Sequence, residues 1–285
     1  MGLNLSMNTR MSIAAERFAP ALIVTLVLLA VPFSRDAETF AQNSSTITKT
    51  LNTPATTPSE VVREFYRAMR EKRFREAFAM SVYRSAVENL SAEEFEELRP
   101  DFERIAALAP EKIDVTGELI SGDTAEVFVK VIEDDAERIK PHPLTRRAAD
   151  GVWIFGDRAS LDVVAQQGRK FFFEARIAAH EGEVKSMLPR IATAQLVYAA
   201  QHGGQFADLD GLVRAGLVPP DVLTTESTGY RFHLKLAEDK KSYTAGAEPT
   251  RYGRTGRLSF FMNQAGLTSK DTGGKPLPGK TAAKK

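Results

Sequence analysis

The sequence predicts an α+β protein with two folded units, because the spacing of its apolar residues changes twice along the chain. Apolar residues recur every three or four positions between residues 58 and 105, then alternate along the chain between residues 125 and 132. The same order, a helical stretch followed by short strand-like runs, returns between residues 169 and 262. Helices followed by consecutive strands are typical of antiparallel sheets packed against helices.

The composition is that of an ordinary globular protein, and it excludes several classes of function. Of the 285 residues, 43% are hydrophobic and 26% are charged, which is enough apolar surface for two cores. The net charge of +1 gives no general attraction to nucleic acid or to acidic membranes. Cysteine is absent, so disulfides, thiolate metal sites, a cysteine nucleophile and a lipid anchor on cysteine are all excluded.

Residues 1–41 are predicted to be a signal peptide or a membrane anchor. Arg10 and Arg17 precede an uncharged apolar run at residues 18–33, the order that export machinery recognises. The run is shorter than the roughly 18 apolar residues expected of a membrane span, which favours cleavage after Ala41 over retention. If retained, residues 18–33 would contact the membrane. In either case the folded units are expected in the periplasm or outside the inner membrane, on the far side from the cytoplasm.

Two polar segments are predicted to lie outside the folded units. Residues 42–57 are rich in Ser, Thr and Asn, and they cannot bury enough surface to offset the entropy of ordering. Residues 268–285 are dominated by Lys, Gly and Pro. The first segment is predicted to be a flexible linker and the second a disordered basic tail.

The first unit is predicted at residues 58–158, with helices before strands. Thr57 and Glu60 form the pattern of a capping box that opens a helix, and Ser91 and Glu94 repeat it. A turn at residues 122–123 precedes alternating residues 125–132. A second turn, at residues 150–151, connects strands predicted at residues 144–147 and 152–155.

The second unit is predicted at residues 159–267 and begins with a long helix. Pro189 lies inside the helical pattern and is expected to kink or restart the helix, which ends at residues 202–204. Short strands are predicted at residues 230–234, 242–245 and 258–262. The apolar face of the long helix is formed by Val184, Met187, Leu188, Ile191, Ala194 and Tyr198.

Residues 57–78, 121–131 and 150–155 resemble the nuclear-transport-factor-2-like (cystatin-like) superfamily, over about a third of the chain. The resemblance implies a helix-packed, cone-shaped antiparallel sheet whose pocket holds a carboxylate and a Tyr or His. Candidate ligand-binding residues are Tyr66, Tyr83, Asp101 and Trp153. The residues themselves favour simpler roles: Tyr66 and Trp153 as core aromatics, and Asp101 on the polar side of its helix.

Residues 169–200 resemble the soluble half of the long helix in type IV pilins and type II secretion pseudopilins. Residues 204–217, 228–233, 243–245 and 256–266 match the short globular region of the same proteins in order. The resemblance implies a helix on a small antiparallel sheet. The chain departs from the family at residues 160–168, which are polar where an apolar assembly helix is needed, so polymerisation as a pilus subunit is not expected.

No residue pattern indicates catalysis, a metal or a cofactor. Residues 274–281 match the spacing of a phosphate-binding loop, but they contain two prolines and lack the flanking strand and helix. Four histidines show no metal-ligand spacing, and His180 and Glu183 are expected on a solvated helix face. Asn263 and Asp271 are too few oxygen ligands for the calcium that some pseudopilins hold in this loop.

Phe171, Phe172 and Phe173 cannot all face one core, so at least one is predicted at the contact between the units or on a partner surface. Together these features predict a non-catalytic, exported cell-envelope protein that acts as a binding or adaptor module. The pilin resemblance implies an envelope protein partner from a type II secretion or type IV pilus system. The alternative is a small-molecule carrier, or an isomerase- or hydratase-like enzyme, that uses the cone pocket.

Overall fold

A computed structural model describes residues 57–133, 136–225 and 228–278 of the chain. The predicted export segment and nearly all of the predicted linker lie outside these residues, as does the end of the predicted tail. Within the described ranges, no helix is long and apolar enough to cross a membrane. The fold is α+β, with two antiparallel sheets and one long helix.

The chain first forms four helices and then a four-stranded antiparallel sheet, which we call the first sheet. Its strands follow one another in the order β1-β2-β3-β4. The elements are α1 (Pro58–Arg70), α2 (Phe74–Ala79), α3 (Arg84–Glu88), α4 (Ala92–Ala106), β1 (Asp114–Ser121), β2 (Thr124–Glu133), β3 (Ala136–Arg146) and β4 (Trp153–Phe155).

Both predicted capping boxes are present and set where α1 and α4 begin. The Glu60 amide donates to Thr57 Oγ1 over 3.2 Å, and the Thr57 amide donates to the Glu60 carboxylate over 2.8 Å. Ser91 and Glu94 make the same pair of bonds over 3.2 and 3.3 Å. Each box satisfies two backbone donors that the first helical turn leaves free.

The first sheet is longer than the sequence pattern predicts. Strand β1 was not predicted, because most of its residues are exposed and do not alternate. Strand β3 passes through Pro141 and Pro143, which pair with Phe128 and Glu126 of β2. The Pro143 carbonyl accepts from the Gly156 amide over 2.8 Å, on the β4 side. The N–H that Pro143 lacks would point the same way, as would that of Pro141 two residues earlier, so the ladder between β2 and β3 is preserved.

The second half of the described chain is a long helix followed by the second sheet, with strand order β5-β6-β7-β8. The strands predicted at residues 230–234, 242–245 and 258–262 are all present. The elements are α5 (Arg158–Gln167), a 3-10 turn (Gly168–Lys170), α6 (Phe171–Gln201), α7 (Leu209–Arg214), a second 3-10 turn (Pro220–Leu223), β5 (Tyr230–Leu236), β6 (Tyr243–Pro249), β7 (Leu258–Asn263) and β8 (Gly266–Asp271).

Two of the predicted boundaries differ from the structure. Residues 268–271, predicted to begin a disordered tail, form strand β8 and pair with β7 from Phe261 to Leu258. Every residue of β8 is exposed. The strand is therefore held by backbone hydrogen bonds to β7, and no apolar pattern in the sequence predicts it. Helix α6 contains Pro189 and continues through it without a restart. Pro189 is exposed, so its ring displaces no core side chain.

Helix α6 contributes to two hydrophobic cores. Its first turns place Phe171 and Phe172 in the first core, under the first sheet and helices α1 to α4. Its second half places Val184 and Leu188 in the second core, under the second sheet. The predicted division at residues 158 and 159 therefore does not separate the interiors, because the first core extends into α6.

The close approach of Gly256 to Tyr230 allows the packing of the second core to be tested by mutation. A Cβ atom at this position would lie 1.9 Å from the Tyr230 hydroxyl, which is buried and donates to the Leu258 carbonyl over 2.9 Å. We expect Gly256→Ala to lower the free energy of unfolding by about 1–3 kcal/mol, since Tyr230 has no space to move into. Gly117→Ala, where no atom lies within 4 Å, is the control. Equal urea midpoints for the two variants would contradict this account.

Candidate functional site

The structure does not gather the four predicted ligand-binding residues around one pocket. The Tyr66 hydroxyl lies 3.4 Å from Nδ1 of His142 inside the first core. Trp153 lies at the sheet end, with the Arg146 guanidinium 4.6 Å from its ring. The ring centroid of Tyr83 lies 5.5 Å from that of Phe171. Asp101 lies elsewhere, at the contact between α4 and α6.

Aromatic side chains fill the interior between helices α1 to α4, the first sheet and the start of α6. Phe102 is fully buried, and its ring centroid lies 4.9 Å from that of Phe78 and 5.0 Å from that of Phe172. Phe65 stacks on Phe155 at 4.3 Å. These contacts are those of a packed core, as the simpler interpretation of Tyr66 and Trp153 predicts.

All three consecutive phenylalanines are buried in the first core, so the expectation that they could not all face one core was wrong. Of the two places expected for at least one of them, the contact between the units is occupied and a free partner surface is not. Phe171 and Phe172 join the aromatic core of the first unit. Phe173 belongs to the same core and also reaches the contact between the units, where the Arg254 guanidinium is 4.2 Å from its ring centroid. Three neighbours on a helix can all be buried here because protein surrounds the start of α6 on several sides.

Asp101 and Arg176 form the buried centre of this contact. Arg176 Nε donates to Asp101 Oδ2 over 2.7 Å, and both side chains are more than nine-tenths buried. Arg176 also donates to the Glu97 carboxylate over 3.0 Å and to the Glu97 carbonyl over 2.6 Å. Asp101 was expected on the polar side of its helix, and α6 covers that side of α4, so the carboxylate is buried.

Further ion pairs and hydrogen bonds connect the second sheet to α4 and to α6. Arg251, which follows β6, donates to the Glu97 carboxylate over 3.1 Å. Arg257 binds both oxygens of Glu174 over 2.7 and 2.6 Å. Glu181 accepts from the backbone amides of Arg257 and Leu258 over 3.0 and 3.1 Å. Arginines of the second unit thus meet carboxylates of α4 and α6, and they fix the position of the second sheet.

His180 is buried beside these ion pairs and not on the solvated face that was predicted. Its Nδ1 lies 3.0 Å from the Thr255 carbonyl oxygen, which can only accept, so Nδ1 carries the proton. Its Nε2 has no partner among the described residues. Gly229, with φ of +63°, leaves room for the ring, because a Cβ there would lie 2.6 Å from Nδ1.

Burial controls the titration of both groups that were expected on the solvated face. It lowers the pKa of His180 from its ordinary value, and the nearby Arg104 and Arg176 act in the same direction. It raises the pKa of Glu183 to about 7. His180 is therefore neutral at pH 7, while Glu183 is partly protonated.

A polar cleft of about 240 Å³ opens at the contact between the two units, and we call it the junction cleft. Residues of α4, of α6 and of the loops flanking β5 and β6 form its walls. It is lined by Glu97, Pro100, Asp101, Arg104, Arg176, His180, Thr225, Gly229, Thr250, Arg251 and Thr255. In the described parts of the chain, no group of three or more His, Asp or Glu side chains is placed to hold a metal ion.

The junction residues could not be found from local patterns. Asp101 and Arg176 are separated by 75 positions, as are His180 and Thr255. Only Arg176 gives a local signal of a buried partner, because it lies in the largely apolar start of α6 and a buried charge requires pairing. His142 was overlooked for the same reason, because its partner Tyr66 is 76 positions away.

Comparison with known proteins gives little further information. No family model matches the chain, and no curated protein matches it. A crystal structure from Campylobacter jejuni, described as an NTF2-like transpeptidase, is similar at 15% sequence identity and a TM-score of 0.25. The match covers 34% of this chain and 95% of that one.

Proposed function

We propose that this chain is a non-catalytic, exported adaptor of the cell envelope that holds two binding surfaces at a fixed separation. The observation that supports this most is the joint between the units, where one helix enters two cores and buried ion pairs cross the contact. A joint of this kind fixes the geometry between the two sheets. Each unit also carries an exposed apolar surface.

The first surface is the outer face of the first sheet. Val127 and Val129 of β2 face the core, so Lys130 and Ile132 face outward. Ile139 pairs with Lys130 and Leu119 pairs with Glu126, which places both apolar residues on the same outer face. Ile132 is 76% exposed, and Leu119 and Ile139 are each 60% exposed.

The second surface is the outer side of α6 near its C-terminal end. Leu196 and Val197 are exposed by 67% and 40%. Residues 191–207 contain no Lys, Arg, Asp or Glu, although solvated helix faces usually carry charges. An uncharged, exposed helix face fits an interaction with another protein.

The cellular setting of the proposal rests on sequence. The basic and apolar order at residues 10–33 supports export. The resemblance of residues 169–266 to pilins and pseudopilins suggests partners in a secretion or pilus system. The resemblance of the first unit to the cone-shaped superfamily suggests a docking module. A fold-level analogy is a weak basis for function, so partner capture is the decisive experiment.

In-cell crosslinking of the full chain, followed by purification and mass spectrometry, tests the adaptor role. We expect Ile132→Lys and Leu196→Lys each to abolish the recovery of a different envelope protein, because a lysine on an apolar interface must be desolvated. Leu108→Lys, at a position 52% exposed, is the matched control and should retain both partners. Recovery of the same proteins from all three variants would refute the two-surface model.

A further inference from the structure

The junction cleft has an excess of one positive charge. Its lining contains three guanidinium groups, on Arg104, Arg176 and Arg251, and two carboxylates, on Glu97 and Asp101. His180 adds no charge while it is neutral. Arg176 is fully occupied by Glu97 and Asp101. The excess charge is therefore available on Arg104 and Arg251.

Both of these arginines keep donors for a ligand. The Arg104 side chain is 35% exposed and binds Asp101 through Nη2, and its buried Nε has no partner among the described residues. The Arg251 side chain is 55% exposed and makes one side-chain bond, from Nη2 to Glu97. A planar carboxylate can accept two parallel hydrogen bonds from a guanidinium group, as a phosphate can.

The lining also has an acceptor that is not used. Because the His180 Nδ1 proton faces the Thr255 carbonyl, Nε2 carries a lone pair, and this atom is buried without a partner among the described residues. A buried acceptor without a partner costs free energy that a donor would recover. The complementary group on a ligand is therefore a hydroxyl.

We propose that the junction cleft binds a small hydroxycarboxylate, with Arg104 and Arg251 facing its carboxylate and His180 accepting a hydrogen bond from its hydroxyl group. The cleft volume of about 240 Å³ is below the roughly 300–1,000 Å³ of sites for drug-sized ligands, so the ligand has only a few carbon atoms. Sites of this kind commonly lie between domains.

Calorimetric titration of the full chain with glycolate, acetate and ethylene glycol tests the assignment. Glycolate carries both groups, acetate only the carboxylate and ethylene glycol only hydroxyls. We expect glycolate to bind at least about tenfold more tightly than acetate, because acetate leaves His180 unpaired, and ethylene glycol not to bind. Inorganic phosphate, a hydroxyl-bearing anion without a carboxylate, is the fourth probe.

Variants assign the roles within the cleft. Arg104→Gln should weaken glycolate binding at least about tenfold, whereas Arg99→Gln, at an exposed position on the same helix, should not change it. His180→Phe should remove the preference for glycolate over acetate, a result that a merely structural role would not give. If His180→Phe does not fold, the Arg104 and Arg99 pair still decides the outcome.

Three results would overturn the proposal. These are equal affinity for acetate and glycolate, binding of phosphate without glycolate, and no heat from any probe, as expected if the cleft holds only water. The proposal does not depend on the adaptor role. Partner capture that persists in Arg104→Gln while glycolate binding is lost would separate the two functions.

Discussion

Arg176→Met is expected to lower the free energy of unfolding by about 3–5 kcal/mol, the usual effect of removing one member of a buried ion pair. The substitution removes the hydrogen bond that Arg176 donates from α6 to Asp101, a residue that is 5% exposed. It also removes two hydrogen bonds to Glu97. Arg104 remains beside Asp101, which favours the lower end of the range. Urea denaturation followed by circular dichroism provides the measurement.

An exposed ion pair provides the control for Arg176. Arg84 and Glu88 form a pair on α3 in which both side chains are about half exposed. Arg84→Met should change the stability by less than about 1 kcal/mol. The double substitution Asp101→Leu with Arg176→Met should recover part of the loss, because the carboxylate that Arg176→Met leaves buried is then also removed. A loss as small for Arg176→Met as for Arg84→Met would show that the junction does not stabilise the fold.

Replacing His142 with phenylalanine is expected to make the protein less sensitive to acid. Burial in the first core, helped by the charge of Lys140, lowers the pKa of His142 to about 4, against about 6.5 in an unfolded chain. The unfolded state therefore takes up the proton first as the pH falls. The neutral imidazole makes its full contribution to the free energy of unfolding above pH 6.5. This contribution falls progressively towards pH 4, by about 3 kcal/mol in total.

The pH profile of the difference between wild type and His142→Phe isolates this contribution. Phenylalanine suits the site because Tyr66 and Phe155 surround the ring at 5.5 and 5.8 Å. The stability of the variant relative to wild type should rise as the pH is lowered from 7 to 4. His202→Phe, at an exposed position, controls for the loss of an imidazole. Parallel profiles for wild type and His142→Phe would contradict the burial argument.

The elements with a local signature could be predicted from the sequence. Thr57 and Ser91 mark the starts of α1 and α4 through their capping boxes. The alternation of Val127 and Val129 with outward residues marks β2. Strands β1 and β8 could not be predicted, because their stabilisation comes from backbone pairing along exposed residues.

The candidate site could not be predicted because its geometry depends on contacts between distant segments. A helical pattern places Asp101 on a polar face correctly, but it does not reveal that α6 covers this face. Arg176 supplies the charge that makes this burial tolerable. The roles of His180 and Gly229 likewise follow only once the Thr255 loop is placed against α6.

Helix α6 makes the two units interdependent in folding and in turnover. A protease cut at residue 168 would strip Phe171 and Phe172 from the first interior, whereas a cut near residue 183 would leave both sets of core residues with their own sheets and would divide α6. After the second cut, polar contacts such as the hydrogen bond from Arg251 to Glu97 would still connect the two halves. Helix α6 therefore couples the two sheets, and a cut at residue 168 is expected to destabilise the first interior more than a cut near residue 183 does.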